Sequence, residues 1–108
     1  MTDRLSRVFT ALADPTRRAI LADLSTGVMT VNELVERNEL SQPGISKHLK
    51  VLEAAGLIRR EKLAQKRPCS LAPEGFQVAT SWLEEFAGRW EHSFEDMDRL
   101  LAGMKGKA

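Results

Sequence analysis

Leu40-Ser41-Gln42-Pro43-Gly44-Ile45-Ser46-Lys47-His48-Leu49-Lys50-Val51-Leu52-Glu53-Ala54-Ala55-Gly56-Leu57-Ile58 is the stretch on which the fold turns. Ser41 has the side chain of an N-cap, able to accept from the free N–H groups of a first helical turn. Pro43 is tolerated in that turn because its missing N–H would have no intrahelical partner. At 100° per residue Ile45, Leu49 and Leu52 gather on one side of the predicted helix, whereas Pro43, Ser46, Lys47 and Lys50 occupy the opposite arc. Gly56 ends the helix, and Leu57 folds back as the hydrophobic contact of the cap. One face is therefore built for a core and the other is left for a partner.

Downstream, residues 57–63 and 68–71 flank a polar tip of Ala64, Gln65, Lys66 and Arg67 and predict a two-stranded hairpin, with Pro68 restricting the second strand to an edge or a bulge. Upstream, Thr30 to Glu33 fits a capping box that opens a short helix burying Val31, Leu34 and Val35. Asp14-Pro15 separates two earlier helices. The first, Asp3 to Ala13, carries the stripe Leu5, Val8, Phe9 and Leu12; the second, about 15 to 25, buries Ile20, Leu21 and Leu24 and ends at Gly27 as a left-handed cap.

From Pro73 the pattern is helical for about thirty residues, a span of about 45 Å at 1.5 Å per residue. Phe76, Ala79, Leu83, Phe86, Trp90, Phe94, Met97, Leu101 and Met104 recur every three or four positions, joined by Trp82 and Leu100. So long a stripe overruns the core of so small a domain, and an exposed aromatic stripe seeks a partner. Gly88 is the weakest point of the helix and a candidate bend.

Charge is as unevenly placed as apolarity. The formal net charge of +1 hides a basic middle, where Lys47, Lys50, Arg59, Arg60, Lys62, Lys66 and Arg67 face only Glu53 and Glu61, a net of +5 over residues 41–70. Residues 71–101 invert it, with Arg89 and Arg99 against Glu74, Glu84, Glu85, Glu91, Glu95, Asp96 and Asp98, a net of −5. Such asymmetry points to different partners for different parts of the chain.

With 108 residues, 43% hydrophobic and 29% charged, the chain fits one domain over 1–108 and excludes a multidomain enzyme. No apolar run reaches 18 residues, and Met1-Thr2-Asp3-Arg4 lacks the form of a secretory signal, so the expected location is the cytoplasm, with no membrane partner. One cysteine, Cys69, excludes an intrachain disulfide. No nucleophile–base–acid set or phosphate-binding glycine loop is present, so no enzymatic activity and no cofactor are expected.

Helices in succession over residues 30–56, with a polar arc on the last and a basic hairpin at 57–71, predict a mainly α winged helix-turn-helix. The candidate DNA-binding residues follow from the chemistry of each position. Thr30 and Ser41 mark helix N-termini that suit phosphate. Gln42, Pro43, Ser46, Lys47 and Lys50 line the arc that enters a major groove, and Arg59, Arg60, Lys62, Lys66 and Arg67 neutralise backbone or enter a minor groove. His48, beside Ile45 and Leu52 on the wheel, suits either packing or a DNA contact. Arg17 and Arg18 are open between phosphate and pairing with Asp14 or Asp23. Cys69 reads as a small apolar filler, with a redox role left to an Arg67-lowered thiol.

Ala11-Leu12-Ala13-Asp14-Pro15-Thr16-Arg17-Arg18-Ala19-Ile20-Leu21 and the opening stretch together resemble the ArsR/SmtB family of bacterial winged-helix repressors, over about residues 5 to 101. The resemblance implies a homodimeric transcriptional regulator of a double-stranded DNA operator, with Ser41–Gly56 as recognition helix and the terminal helices, 1–13 and 73–104, as dimer interface. The interface candidates are Leu5, Val8, Phe9, Phe76, Trp82, Leu83, Phe86, Trp90, Phe94, Met97 and Leu101. Two recognition helices related by a two-fold would read an inverted repeat with half-sites about 10 bp apart, or a multiple. The family's cysteine sensor motif belongs to the third helix, and Glu33–Glu39 has no cysteine. The chain therefore resembles the members that sense no metal, no metal ligand is assigned, and the residues name no inducer. The glycine frequent at the family's wing tip is also missing from residues 64–67. Two alternatives stand beside this reading: a metal-responsive repressor with zinc held across a dimer by His92 and its neighbouring acids, and a protein-interaction module that uses the aromatic helix without DNA.

Overall fold

Side-chain caps start four of the five helices in the computed structural model, which describes residues 3–63 and 65–105. Asp3 accepts from the Ser6 N–H at 2.7 Å and opens α1, Arg4–Leu12. Asp14 accepts from the Arg17 N–H at 3.0 Å, with Pro15 at the first position of α2, Pro15–Leu24. The predicted capping box forms around Thr30 and Glu33 and opens α3, Val31–Asn38; Ser41 accepts from the Gly44 N–H at 3.2 Å and opens α4, Gln42–Ala54. The fifth helix, α5, spans Pro73–Lys105 and runs unbroken through Gly88.

Helix ends depart from expectation at one place and follow it at another. α2 closes at Leu24 with Ser25 still in helical conformation, so Gly27, at φ 151°, lies beyond the cap rather than forming it. The end of α4 follows the predicted pattern in full: the Gly56 N–H donates to the Glu53 carbonyl and the Leu57 N–H to the Leu52 carbonyl, both at 3.0 Å. Gly56 takes φ 73°, which a residue with a Cβ adopts only under strain. α5 then starts directly on this cap. The Gly75 N–H donates to the Gly56 carbonyl at 2.8 Å, and a Cβ on Gly75 would stand 2.6 Å from the Ala55 carbonyl oxygen. Only glycine lets the last helix approach the end of α4 this closely.

The sheet has three strands rather than two, in the order β1-β3-β2, all antiparallel: β1 Met29–Thr30, β2 Ile58–Arg60 and β3 Pro68–Leu71. β2 and β3 form the wing, pairing Ile58 with Leu71, Arg59 with Ser70 and Arg60 with Cys69. The first wing strand is shorter than residues 57–63, continuing only as a Leu63–Lys66 bridge. β3 is the central strand, contrary to the edge expected of Pro68. The proline is accommodated as its first residue, using only its carbonyl, which accepts from Glu61 at 3.1 Å. Ala64 of the predicted tip lies outside the described residues, as does Lys107.

The core lies under α4. Ile45, Leu49 and Leu52 are fully buried against Val8 of α1, Ile20 of α2, Leu34 of α3, and Leu57 and Cys69 of the wing. Along α5 the last buried residue is Ala79, and every described side chain beyond it to Met104 is exposed. With 33 residues, α5 is about 50 Å long, and it stretches the chain to 72 × 27 × 26 Å.

Candidate nucleic-acid interface

The predicted polar arc of α4 is open to solvent. Gln42, Pro43, Lys47 and Lys50 are exposed and Ser46 half-exposed, while the opposite side of the same helix is sealed into the core. α4 has no acidic residue in its first turn, so its N–H groups and positive dipole end face outward uncompensated. Ser41 keeps its hydroxyl proton free to donate while its oxygen caps Gly44.

Thr30 is different. Its hydroxyl accepts from the Glu33 N–H and donates to the Glu33 carboxylate at 3.1 Å, and its own N–H donates to the same carboxylate at 3.2 Å. An anion approaching the start of α3 meets Glu33 already in place, which weighs against the phosphate role expected of Thr30. A groove of about 440 Å³ nevertheless runs between the start of α3 and the wing, lined by Asn32, Gln42, Gln65, Lys66 and Arg67 among others.

The wing's bases divide into two groups. Arg59 is ion-paired with Glu74 at the start of α5, and Arg60 with Glu53 of α4 at 3.1 Å. These two arginines tie the wing to its neighbouring helices, unlike the free phosphate ligands expected of them, though Arg59 stays 61% exposed in its pair. Arg59 is also the reason Glu74 is held below the usual carboxylate range, after the carboxylate's bond to its own backbone N–H. Lys62, Lys66 and Arg67 lie nearer the tip and are exposed, and with Lys47 and Lys50 they make no ion pair among the described residues.

Neither Arg17 nor Arg18 pairs its side chain with Asp14 or Asp23. Both reach back across the α1–α2 corner to carbonyls at the end of α1: Arg17 Nε donates to Ala11 at 2.8 Å, Arg17 Nη2 to Thr10 at 2.9 Å, and Arg18 Nη1 to Leu12 at 2.7 Å. Cations there suit the negative end of a helix dipole. Asp23 instead holds Arg37 and Asn38 at the end of α3. The remaining nitrogen of Arg17, Nη1, lies 3.3 Å from His48 Nδ1. His48 is half-buried and turned toward Arg17 and Asp14, off the exposed arc. The signal for these two arginines was their position just after the N-cap that follows a helix end.

Cys69 is fully buried, and burial pushes its thiol up, with nearby Arg60 only partly offsetting it. The idea of an activated thiol beside Arg67 fails, because the low dielectric outweighs the neighbouring cations. His92 stands 3.6 Å from Asp96 on an exposed face of α5. Among the described residues no three His, Cys, Asp or Glu side chains gather closely enough to hold a metal ion.

At the opposite end the aromatic residues form a continuous ladder. Phe9 meets Trp82 edge-on at 5.7 Å, Trp82 stacks on Phe86 at 5.3 Å, and Trp90 lies 6.1 Å from Phe86 and 5.4 Å from Phe94. Trp82 is 42% exposed and Phe94 51%, large values for aromatic side chains without polar purpose. Leu83, Met97 and Leu101 extend the same apolar surface, and Leu5 is half-buried at its margin. Val8, by contrast, has no exposed area and belongs wholly to the chain's own core, and Phe76 packs largely against it. Val8 therefore leaves the set of interface candidates: the inner side of the α1 stripe meets α4, and only its outer side is open. No helix among the described residues is long and apolar enough to cross a membrane.

Comparison with known proteins agrees with this geometry. A helix-turn-helix domain family matches residues 12–61. The HTH-type transcriptional regulator Rv2034 of Mycobacterium tuberculosis is 39% identical over 88% of this chain and 86% of its own length. The transcriptional repressor SdpR of Bacillus subtilis is 34% identical over 82% of this chain and 98% of its own. Among solved structures, a crystal structure of an ArsR family transcriptional regulator superimposes with TM-score 0.78 at 42% identity, covering 82% of this chain and 98% of that one. The homodimeric winged helix-turn-helix DNA-binding domain Mb0332 of Mycobacterium bovis superimposes with TM-score 0.64 at 26% identity, over 83% and 82% of the two chains.

Proposed function

The chain belongs to the ArsR family of winged helix-turn-helix transcriptional regulators, and from that premise we propose that it acts in the cytoplasm as a homodimeric, sequence-specific repressor. In this reading residues 30–56 are the helix-turn-helix and α4 is its recognition helix. Gln42, Ser46, Lys47 and Lys50 read base edges or hold phosphate in the major groove, with Ser41 and Pro43 at the phosphate-facing end of the helix. The wing, residues 57–71, lays Lys62, Lys66 and Arg67 on the backbone or in the minor groove. The outer surfaces of residues 1–13 and 73–104 pair two chains, so that two α4 helices meet successive half-sites of an inverted repeat. The operator is double-stranded DNA, and regulation proceeds by binding it, without catalysis.

The observation that carries the reading is the separation of the two surfaces: unpaired cations around α4 and the wing, an uncovered aromatic ladder on α5. The SdpR relative is itself a repressor and the Mb0332 neighbour a homodimer, which supports both halves. The test combines sedimentation with fluorescence anisotropy on duplexes selected by the protein from a random library. The expected result is a stable dimer that prefers its selected duplex over random DNA and weakens steeply as salt rises. A stable monomer, or binding indifferent to sequence and salt, overturns the proposal.

A further inference from the structure

Arg17 divides one guanidinium between two helices. Its Nε and Nη2 donate to the Ala11 and Thr10 carbonyls at 2.8 and 2.9 Å and so close the end of α1, while Nη1 reaches His48 Nδ1 on α4 at 3.3 Å. The Arg17 main-chain N–H is itself anchored on Asp14 at 3.0 Å. A guanidinium has donors only and stays charged, so the imidazole nitrogen facing it must accept, which places the proton of a neutral His48 on Nε2. α1 in turn carries Phe9, edge-on against Trp82 of α5 at 5.7 Å. A chain of contacts therefore runs from the aromatic face to the exposed arc of α4, and Arg17 is its joint.

We propose that Arg17 is the positioning residue of the recognition helix, acting through His48 to fix the setting of α4 relative to α1; the inference rests on the DNA-binding reading above. Arg17 does not touch the nucleic acid in this role. A planar fork suits the task, because the two carbonyls and the ring nitrogen meet three different nitrogens of the guanidinium, whereas the three donors of an ammonium share one nitrogen. The charged groups facing the ring among the described residues are Arg17 and Asp14, whose Oδ2 lies 4.0 Å from Nδ1.

The experiment is a double-mutant cycle on the full chain, with anisotropy on the duplex that the wild-type protein selects and on a random duplex, at several salt concentrations. Arg17→Lys and His48→Leu are each expected to lose about tenfold or more on the selected duplex. Neither should change binding to random DNA or the salt slope, and the double variant should lose no more than either single one. His48→Gln, whose amide oxygen can accept from Arg17 but takes no proton, should recover most of what His48→Leu loses. Circular dichroism and sedimentation show whether each variant is a folded dimer, and the two His48 variants carry the test if Arg17→Lys is not. The proposal is overturned by additive losses, by equal loss on both duplexes with a slope lower by about one, as a phosphate contact would give, or by full binding in His48→Leu. A wild-type protein that selects no duplex refutes the DNA-binding reading itself, a separate outcome.

Discussion

The two ends of the molecule treat the same kinds of residue in opposite ways. Around α4 Ile45, Leu49 and Leu52 are fully buried within one chain and charge is turned outward, so that half is a finished core with a basic exterior. Along α5 beyond Ala79 the largest apolar side chains are the exposed ones. A helix of about 50 Å cannot find cover in a body whose other dimensions are 27 and 26 Å. The contrast teaches that this chain is complete as a fold at one end and leaves a long apolar face uncovered at the other. It also separates what can be tested: damage to the α4 end should register as lost fold or lost DNA contact, and damage to α5 as lost association.

The largest effect is expected where that difference is most directly attacked. Phe86→Glu places a carboxylate between Trp82 and Trp90. A two-fold interface meets the substitution twice, so the dimer should weaken by on the order of 4–8 kcal/mol. Sedimentation should find a folded monomer with native helicity, and affinity for the selected duplex should fall because the second half-site is no longer tethered. An unaltered dimer would show that the ladder is not the interface, and the comparison would break.

Leu49→Ala probes the finished core. Leu49 has no exposed area and lies in the cluster beneath α4, so truncation should cost about 3 kcal/mol of stability. The loss should appear in denaturant unfolding with the dimer's dissociation constant unchanged. A change in association equal to the change in stability would mean that the two halves are energetically one.

The next effect sharpens the division among the cations. Lys47→Ala and Lys66→Ala should each lower the salt slope of DNA binding by about one, since each removes a cation free to meet phosphate. Arg59→Ala should leave the slope unchanged, because Arg59 already has Glu74 as partner. An Arg59 slope change as large as that of Lys66 would mean the ion pair opens to receive DNA.

Much of this contrast was legible in the amino-acid sequence, for physical reasons that also explain what was not. Period-3.6 apolar spacing, Ser41 and Thr30 as caps and the Gly56-Leu57 closure are local, so α3 and α4 could be read closely. β1 escaped because two residues cannot display a strand period, and Met29 and Thr30 become a strand only by pairing with β3. That unseen partner is also why Pro68 looked like an edge residue. Charge sign was legible but charge use was not. Arg59, Arg60 and Arg17 look as free as Lys66 until their partners Glu74, Glu53 and the α1 carbonyls come near in space. Glu33 is the reverse case: the capping box that identified α3 also sets a carboxylate at its N-terminus.

The smallest effect concerns acid, and it belongs to the finished half. Asp14 is held below the ordinary aspartate range first by the Arg17 N–H it accepts, then by the charges of Arg17 and His48, with burial working against them. Asp3 is lowered by the Ser6 N–H, and Glu74 by its own N–H and Arg59. Each of these carboxylates lies at a helix start. A carboxylate depressed in the folded state binds fewer protons there than in the unfolded chain. Its contribution is therefore fully present above the unfolded pKa, about 4, and is lost as pH falls through the lower folded value. Asp14→Asn separates cap from charge, since an amide oxygen can still accept from Arg17 but does not titrate in this range. At pH 7 the variant should be slightly less stable than wild type, and the gap should narrow as pH falls below about 4. Unfolding followed by circular dichroism in urea at successive pH values measures both. A gap that stays constant down to the acid transition would mean that Asp14 stabilises α2 through its shape alone. The acid sensitivity of the α4 half would then rest on Asp3 and Glu74.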